Sequence, residues 1–127
     1  MRYEEYLNKA SDTLTLERAN KLLADIESSI DVHDEDAREL YNDFLEGSFA
    51  YANVRAGWFL LSKEEKMNED KGRTLKNDSV INRVNILARY LESIGKDVGW
   101  RGELGDSRKT IGDFACYVAL LYGLSAR

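Results

Sequence analysis

The sequence predicts an all-α protein, a single-domain helical bundle of about five helices with a central, mostly buried C-terminal helix. The chain of 127 residues contains no proline and its glycines cluster, a combination that favours long helices joined by a few loops. Apolar residues recur with the 3.6-residue period of amphipathic helices, and no segment alternates as a strand would. A chain of this length forms one domain of ordinary size, so we assign residues 1–127 to one all-α domain.

The central helix runs from about Ser107 to Gly123 and is apolar on both sides. Its only charge after Thr110 is Asp113. A helix that is apolar on both sides has to be covered on both sides, which places it in the middle of the bundle. One side carries Ile111, Phe114, Ala115, Val118, Leu121 and Tyr122, and the other carries Gly112, Cys116, Ala119 and Leu120.

The first half of the chain predicts three helical segments. Residues 3–10 form a short amphipathic piece, and a one-sided helix follows over residues 14–29. An acidic linker over residues 31–36 contains cap-type aspartates. The long third helix then covers about residues 35–61.

The second half of this third helix has a face of small residues opposite its core face. Small side chains let another backbone approach closely, so this face is either covered from within the chain or buried against a second copy. The face predicts a homodimer through Gly47, Ala50, Val54, Gly57 and Trp58, with internal cover by residues 3–10 and 14–29 as the alternative.

Two further helices are predicted before the C-terminal one. Ser62 and Glu65 have the Ser-x-x-Glu spacing of a capping box, which begins a short charged helix that Gly72 ends. A polar connection over residues 71–78 follows.

The second of these two helices covers about residues 80–94, and Gly95 is its predicted stop. Either Asp78 or Ser79 is its predicted N-cap. Its apolar stripe consists of Val80, Ile81, Val84, Leu87, Ala88, Leu91 and Ile94.

A glycine-rich loop over residues 95–105 leads into the central helix. Basic side chains near a helix N-terminus favour an anion, because the free amides and the helix dipole point at it. The phosphate-binding fingerprint is absent, since no strand precedes the loop and no glycine precedes Lys109. The loop is either a structural connection with Trp100 folded over the core, or an anion-binding site made by Trp100, Arg101, Arg108, Lys109 and Thr110.

Other charged and reactive residues favour structural roles. Asp113 is expected to cap its helix or to pair with an arginine such as Arg83 or Arg89. Cys116 and His33 have no partners for catalysis or metal binding at any inferable position. We therefore expect no catalytic residue, no metal and no cofactor.

An acidic row lies on the third helix, opposite its apolar face. Carboxylates at this spacing can bind magnesium, but a row opposite the core belongs on a solvated surface. The row consists of Asp36, Glu39, Asp43 and Glu46.

Charge and composition limit the partners. Residues 1–70 carry 17 acids and 8 bases, a net −9, whereas residues 71–127 carry 6 acids and 10 bases, a net +4. The overall −5 argues against nucleic acid as a partner. No membrane partner is expected, because no stretch is long and apolar enough to span a bilayer. The first residues do not have the pattern of a secretory signal and the chain contains a single cysteine, so a cytoplasmic location is expected.

From about residue 55 to residue 127, the chain resembles a small uncharacterised family of bacterial and phage-associated proteins. The resembling segments are residues 62–67, 73–75, 85–91 and 108–116, the last continuing to Tyr122 and Arg127. The resemblance implies no activity. It implies only that residues 108–127 form the core of that family.

We interpret the chain as a non-enzymatic helical interaction protein that associates with itself. The alternative is a binding protein or enzyme for a phosphorylated small molecule, acting through the glycine loop and the residues that follow it, 95–110. A nucleic-acid binder would need a basic surface confined to residues 71–127.

Overall fold

The computed structural model describes residues 3–10 and 12–123, and it confirms the all-α fold. Within those residues the chain forms six α-helices and no β-strand. The helices are α1 (Tyr3–Ala10), α2 (Leu16–Ser28), α3 (Glu35–Ala56), α4 (Lys63–Ser93), α5 (Gly99–Leu104) and α6 (Arg108–Leu121), with a 3₁₀ turn at Trp58–Leu60.

Helix α6 is the centre of the bundle, as its two apolar sides predict. Its nine consecutive residues 111–119 are all buried, and it contacts α1, α2, α3 and α4. The rings of Phe114 and Phe44 stack across the α6–α3 contact with their centroids 6.1 Å apart. Leu121 differs from its expected burial, because at the last residue of α6 it is only half-buried.

The predicted break between residues 71 and 78 is wrong, since α4 is one helix of 31 residues and about 46 Å. It begins where expected, because Ser62 and Glu65 form the complete capping box. Gly72 lies inside the helix, where glycine costs only about 1 kcal/mol relative to alanine. The surrounding residues favour the helix strongly enough to outweigh that cost, so the helix continues through residues 71–78. Asp78 and Ser79 therefore lie inside α4, and neither acts as an N-cap. None of residues 63–76 is buried, and Asn77 is the first buried residue of α4.

Two other boundaries differ from prediction. Helix α3 ends at Ala56 and passes into the 3₁₀ turn, so it does not continue to Leu61. The glycine loop contains α5, a short helix that no periodicity in the sequence predicts. Gly95 does end α4, with φ of +86° and a Schellman pattern in which the Lys96 amide donates to the Leu91 carbonyl at 3.0 Å.

Asp34 joins the start of α3 to α4. Its carboxylate accepts a hydrogen bond from the Ala37 amide at 3.0 Å and bonds from the Tyr90 hydroxyl at 3.0 and 2.9 Å. These bonds, the Ala37 amide first, lower the pKa of the Asp34 carboxyl.

This lowered pKa predicts a pH dependence of stability. A carboxyl whose folded pKa is depressed stabilises the fold above its unfolded pKa of about 3.9, and this contribution is lost as the pH falls through the folded pKa. The asparagine of an Asp34→Asn variant can still cap α3 but does not titrate. We expect the stability advantage of the parent protein over this variant to shrink as the pH falls from about 5 to about 2. Chemical denaturation at several pH values measures it, and parallel profiles would contradict the assignment.

Candidate functional site

A cleft of about 460 Å³ opens between α1, α3, α4 and α6, and we call it the basic cleft. Four helices contribute side chains to it, and the described residues of the lining supply four basic groups and one carboxylate. The lining residues are Tyr6, Tyr51, Arg55, Arg73, Thr74, Asn77, Arg108, Lys109 and Asp113.

Helical spacing explains how residues so far apart in sequence reach one cleft. Tyr51 and Arg55 are one turn apart on α3, as Arg73 and Asn77 are on α4, so each pair lies on one face of its helix. Because α4 continues through residues 71–78, Arg73 and Asn77 share a face that a loop there would not have given them.

Gly112 allows the floor of the cleft to form. A Cβ at this position would lie 2.8 Å from the Tyr51 hydroxyl oxygen and 2.8 Å from Asn77 Nδ2. Only glycine therefore lets these two polar groups approach the α6 backbone together. Asn77 is 4% exposed and its Nδ2 donates to the Arg108 carbonyl at 3.3 Å, which fixes α4 to the first turn of α6.

Arg55 is held over aromatic rings and has no carboxylate partner among the described residues. Its Nε donates to the Tyr6 hydroxyl at 3.3 Å, and its guanidinium lies 5.2 Å from the Tyr6 ring centroid and 5.6 Å from that of Trp58. Cation–π contacts of this kind position the charge without neutralising it. Arg55 therefore lines the cleft without a carboxylate partner among the described residues.

Arg73 approaches the same indole from α4. Its guanidinium lies 5.1 Å from the Trp58 centroid, and its Nη2 donates to Asp70 at 2.7 Å. The buried Nε of Arg73 has no hydrogen-bond partner among the described residues. The side-chain oxygen of Asn77 is likewise buried and unpartnered within the described part of the chain. Two unsatisfied polar atoms, one a donor and one an acceptor, thus belong to residues that line a single cleft.

Asp113 forms the acidic end of the cleft, and its observed partners correct the expected ones. At 1% exposure it accepts hydrogen bonds from Lys109 Nζ at 3.1 Å, the Thr13 hydroxyl at 2.9 Å and the Tyr6 hydroxyl at 3.3 Å. It does not cap α6, because Ser107 does so by accepting from the Thr110 amide.

The arginines expected beside Asp113 lie elsewhere. Arg83 donates to the Asp43 carbonyl at 2.7 Å, and Arg89 is exposed on α4. The true partner, Lys109, lies one turn before Asp113, and this i,i+4 spacing was the signal in the sequence that could have identified it.

Lys109 bridges two carboxylates, Asp113 and Asp12, the second at 2.9 Å. Burial opposes the charge of Lys109, but its hydrogen bonds to Asp12 and Asp113 prevail and raise its pKa. The ammonium is therefore charged throughout the physiological pH range. The Tyr6 hydroxyl stays protonated, because burial raises its pKa far above the ordinary value.

The structure divides the five residues predicted to bind an anion at the glycine loop. Arg108 and Lys109 line the basic cleft, and Thr110 follows them on α6. Trp100 is buried in α5, away from the cleft lining.

Arg101 is likewise outside the cleft, and its side chain is engaged at three points. It donates to Asn85 at 2.8 Å, to the Gly105 carbonyl at 2.7 Å and to Asp106 at 2.9 Å. An anion site that includes Trp100 and Arg101 stays a prediction.

The cleft residues contributed by α3 and α4 were not predicted from the sequence. Arg55, Arg73 and Asn77 belong to no local motif, and their convergence depends on how three helices pack. Isolated arginines on helices are common, so no signal in the sequence distinguished Arg55 and Arg73 from other surface arginines.

The other charged and reactive residues that the sequence singles out lie outside the lining of the basic cleft. The acidic row of α3 is exposed at all four positions, and no group of three or more His, Cys, Asp or Glu side chains within residues 3–10 and 12–123 is placed to hold a metal ion. Cys116 is fully buried, and burial raises the pKa of its thiol. His33 is exposed in the α2–α3 linker.

The small-residue face of α3 is partly covered from within the chain. Gly47 packs against the side chain of Arg83, with the Cδ atom 2.9 Å from where a Cβ would be. Ala50 is exposed, while Val54 and Trp58 are half-buried. A homodimer through this face stays a prediction.

No protein-family model, no curated protein and no solved structure matches the chain. Across residues 3–10 and 12–123, every helix is too short or too polar to cross a lipid bilayer. A function therefore has to be argued from the geometry of the basic cleft.

Proposed function

We propose that the protein binds a phosphate-bearing small molecule in the basic cleft, without transforming it. The observation that carries the proposal is the convergence of four basic side chains from α3, α4 and α6 on a lining with one carboxylate. Arginine guanidinium groups bind phosphate through two parallel charge-assisted hydrogen bonds, which are about twice as strong as neutral ones. A cleft of about 460 Å³ also lies within the range of small-molecule sites.

Existing ion pairs do not prevent phosphate from binding. Arg108 pairs with Asp78, but the two side chains are 54% and 47% exposed. Lys109 is 49% exposed and its partner Asp12 is 76% exposed. Exposed pairs of this kind contribute only about 0–1 kcal/mol, so a phosphate can replace the outer carboxylates at little cost. Arg55 needs no exchange at all, since it has no carboxylate partner among the described residues.

A binding role fits the lining better than a catalytic one. The single carboxylate, Asp113, already accepts hydrogen bonds from three side chains, so it is committed to holding α1 and the α1–α2 connection against α6. The nine lining residues that the structure describes include no histidine, cysteine or serine that could act as a nucleophile or a general base near neutral pH.

Calorimetric titration with inorganic phosphate tests the proposal. We expect saturable binding, and an Arg55→Gln, Arg73→Gln double variant should bind at least about tenfold more weakly, because a hydrogen bond to a charged group contributes about 1.5–3 kcal/mol. Phosphate at 100 times its dissociation constant should stabilise the parent protein by about 2.7 kcal/mol. Arg89→Gln is the matched control, since Arg89 is an exposed arginine on α4 outside the cleft.

Three results would contradict the proposal. Equal loss in the Arg89→Gln control would mean that the effect is one of net charge. Binding that survives the double variant would move the ligand to another site, with the glycine-loop site of Trp100, Arg101, Arg108, Lys109 and Thr110 as the alternative. Absence of binding at millimolar phosphate would leave the interaction protein as the better interpretation.

A homodimer is a second proposal, and an exposed side chain next to the small-residue face favours it. Leu60, two residues after Trp58, is 71% exposed. Burying such a side chain against a second copy would gain about 1.5–3 kcal/mol. We expect sedimentation at micromolar concentration to show a dimer that Leu60→Glu dissociates. A monomeric parent protein would exclude it.

A further inference from the structure

We infer that the ligand of the basic cleft is a phosphorylated sugar or a similar phosphorylated polyol, and that it is not a nucleotide. This inference rests on the proposed function and specifies the chemical class of the group to which the phosphate is attached. It follows from the uncharged groups of the lining, which include a phenol hydroxyl, an aliphatic hydroxyl and a carboxamide. These groups belong to Tyr51, Thr74 and Asn77, whereas the Tyr6 hydroxyl is already bonded to Arg55 and Asp113.

Asn77 supplies the most specific requirement. The residue is only 4% exposed, and its amide nitrogen already donates to the Arg108 carbonyl. Its carbonyl oxygen has no partner among the described residues, although a buried polar group is normally hydrogen-bonded. A carbonyl oxygen only accepts hydrogen bonds, so the missing partner is a donor. The dianion of a phosphate monoester has no donor to give, whereas a hydroxyl group on the carbon skeleton beside it does.

Arg73 supplies the complementary requirement. Its Nε–H is a buried donor without a hydrogen-bond partner among the described residues, and it lies one helical turn from Asn77 on α4. The two residues therefore suit a molecule that presents an acceptor and a donor close to each other. A phosphate ester next to a hydroxyl-bearing carbon has this arrangement.

The rings of the lining argue against a nucleobase. Proteins that hold bases usually stack them on exposed aromatic faces. Tyr6 and Tyr51 are only 2% and 4% exposed, and the Arg55 guanidinium covers the Tyr6 ring. Trp58 is not in the lining, and both Arg55 and Arg73 already lie over its ring. The cleft thus offers hydroxyl and amide groups to its ligand, and no free aromatic face within the described part of the chain.

A series of three probes tests the inference by calorimetry on the full chain. Inorganic phosphate, ribose 5-phosphate and adenosine 5′-monophosphate differ stepwise by a sugar and then by a base. We expect ribose 5-phosphate to bind at least about tenfold more tightly than inorganic phosphate, because a sugar hydroxyl can donate to the buried acceptor while the phosphate group stays on the basic side chains. The adenine should change the affinity by less than about threefold, because no free ring is there to stack on it.

Two variants connect the sugar's contribution to named side chains. Asn77→Leu removes the amide, and Thr74→Val removes a hydroxyl at a half-buried position with little change of shape. Each variant should reduce the factor by which ribose 5-phosphate binds more tightly than inorganic phosphate. The double variant should bring that factor below about threefold. If Asn77→Leu does not fold, Thr74→Val and the three-probe series still decide the question.

The outcomes separate this inference from the proposed function. If inorganic phosphate and ribose 5-phosphate bind with equal affinity, the inference of a polyol ligand is wrong and the proposed phosphate site is unaffected. Adenosine 5′-monophosphate binding more than about tenfold tighter than ribose 5-phosphate would overturn it in favour of a nucleotide. No binding of any probe at millimolar concentration would overturn both.

Discussion

Replacing Phe114 by alanine is expected to lower the free energy of unfolding by about 3–5 kcal/mol, the range found when a fully buried phenylalanine is truncated. Phe114 is 0% exposed at the middle of α6, and it stacks on Phe44 of α3. The substitution removes buried apolar surface and leaves a cavity between two central helices. This cavity cannot collapse fully, because the surrounding side chains are already closely packed. Chemical denaturation monitored by circular dichroism measures the change.

Phe49→Ala is the matched control for this prediction. Phe49 is only half-buried, and its ring meets Tyr122 edge-on with centroids 5.7 Å apart. Truncating Phe49 removes less buried apolar surface, so the free energy of unfolding should fall by clearly less than in Phe114→Ala. A cost below about 1 kcal/mol for Phe114→Ala, or equal costs for the two variants, would contradict the central position of α6.

Alanine at Gly112 should destabilise the protein although alanine is the better helix former. The new Cβ would lie 2.8 Å from Tyr51 Oη and 2.9 Å from Tyr51 Cε2, and a buried ring cannot move aside as a flexible chain end can. Overpacking of this kind costs about 1–3 kcal/mol, which outweighs a helix-propensity gain of about 1 kcal/mol or less. Because Tyr51 and Asn77 would both be displaced, phosphate binding should weaken together with stability.

Gly72→Ala should change the stability of the protein in the opposite direction. Gly72 lies within α4, and a Cβ there meets nothing within 4 Å. The same substitution should therefore stabilise the protein by about 0.4–1 kcal/mol, by removing backbone freedom from the unfolded chain. Thermal and chemical denaturation of both variants measure the difference. If both substitutions stabilise, α6 does not approach Tyr51 and Asn77 as closely as described.

The parts of the fold that follow from local patterns were predictable. The two-sided apolar character of α6, the capping box at Ser62 and the stop at Gly95 each depend on residues that are neighbours in sequence. Their physical causes are burial of a helix face, pairing of free amides and the positive φ of one glycine. All three are confirmed by the structure.

The continuity of α4 was missed because single residues were given too much weight. Gly72, Asp78 and Ser79 have the identities of helix breakers and caps, but one glycine costs about 1 kcal/mol and an aspartate or serine less. Residues on either side are mostly good helix formers, and packing of the C-terminal half of α4 on α3 and α6 adds to them. Propensity is a weak prior that tertiary packing overrides.

The basic cleft was only half predictable, for a different reason. Arg108 and Lys109 could be chosen because they lie together at a helix start. Arg55 and Arg73 are brought beside them only by the packing of α3 and α4, with both guanidiniums over the ring of Trp58. Such a constellation is a property of helix packing, which no window along the sequence contains.

The exposed first half of α4 has a consequence for local opening of the protein. None of residues 63–76 is fully buried, so helix propensity, the capping box and the contacts of Arg73 are the main forces that oppose their unfolding. Segments with few buried contacts open at a much lower free energy than the global transition, and their amides exchange with solvent accordingly. The border between the fast and slow halves of α4 falls at Asn77, at the wall of the basic cleft. Arg73 and Thr74 belong to the opening half, so a ligand that binds them also stops this helix from fraying, and part of its binding free energy goes into ordering that segment.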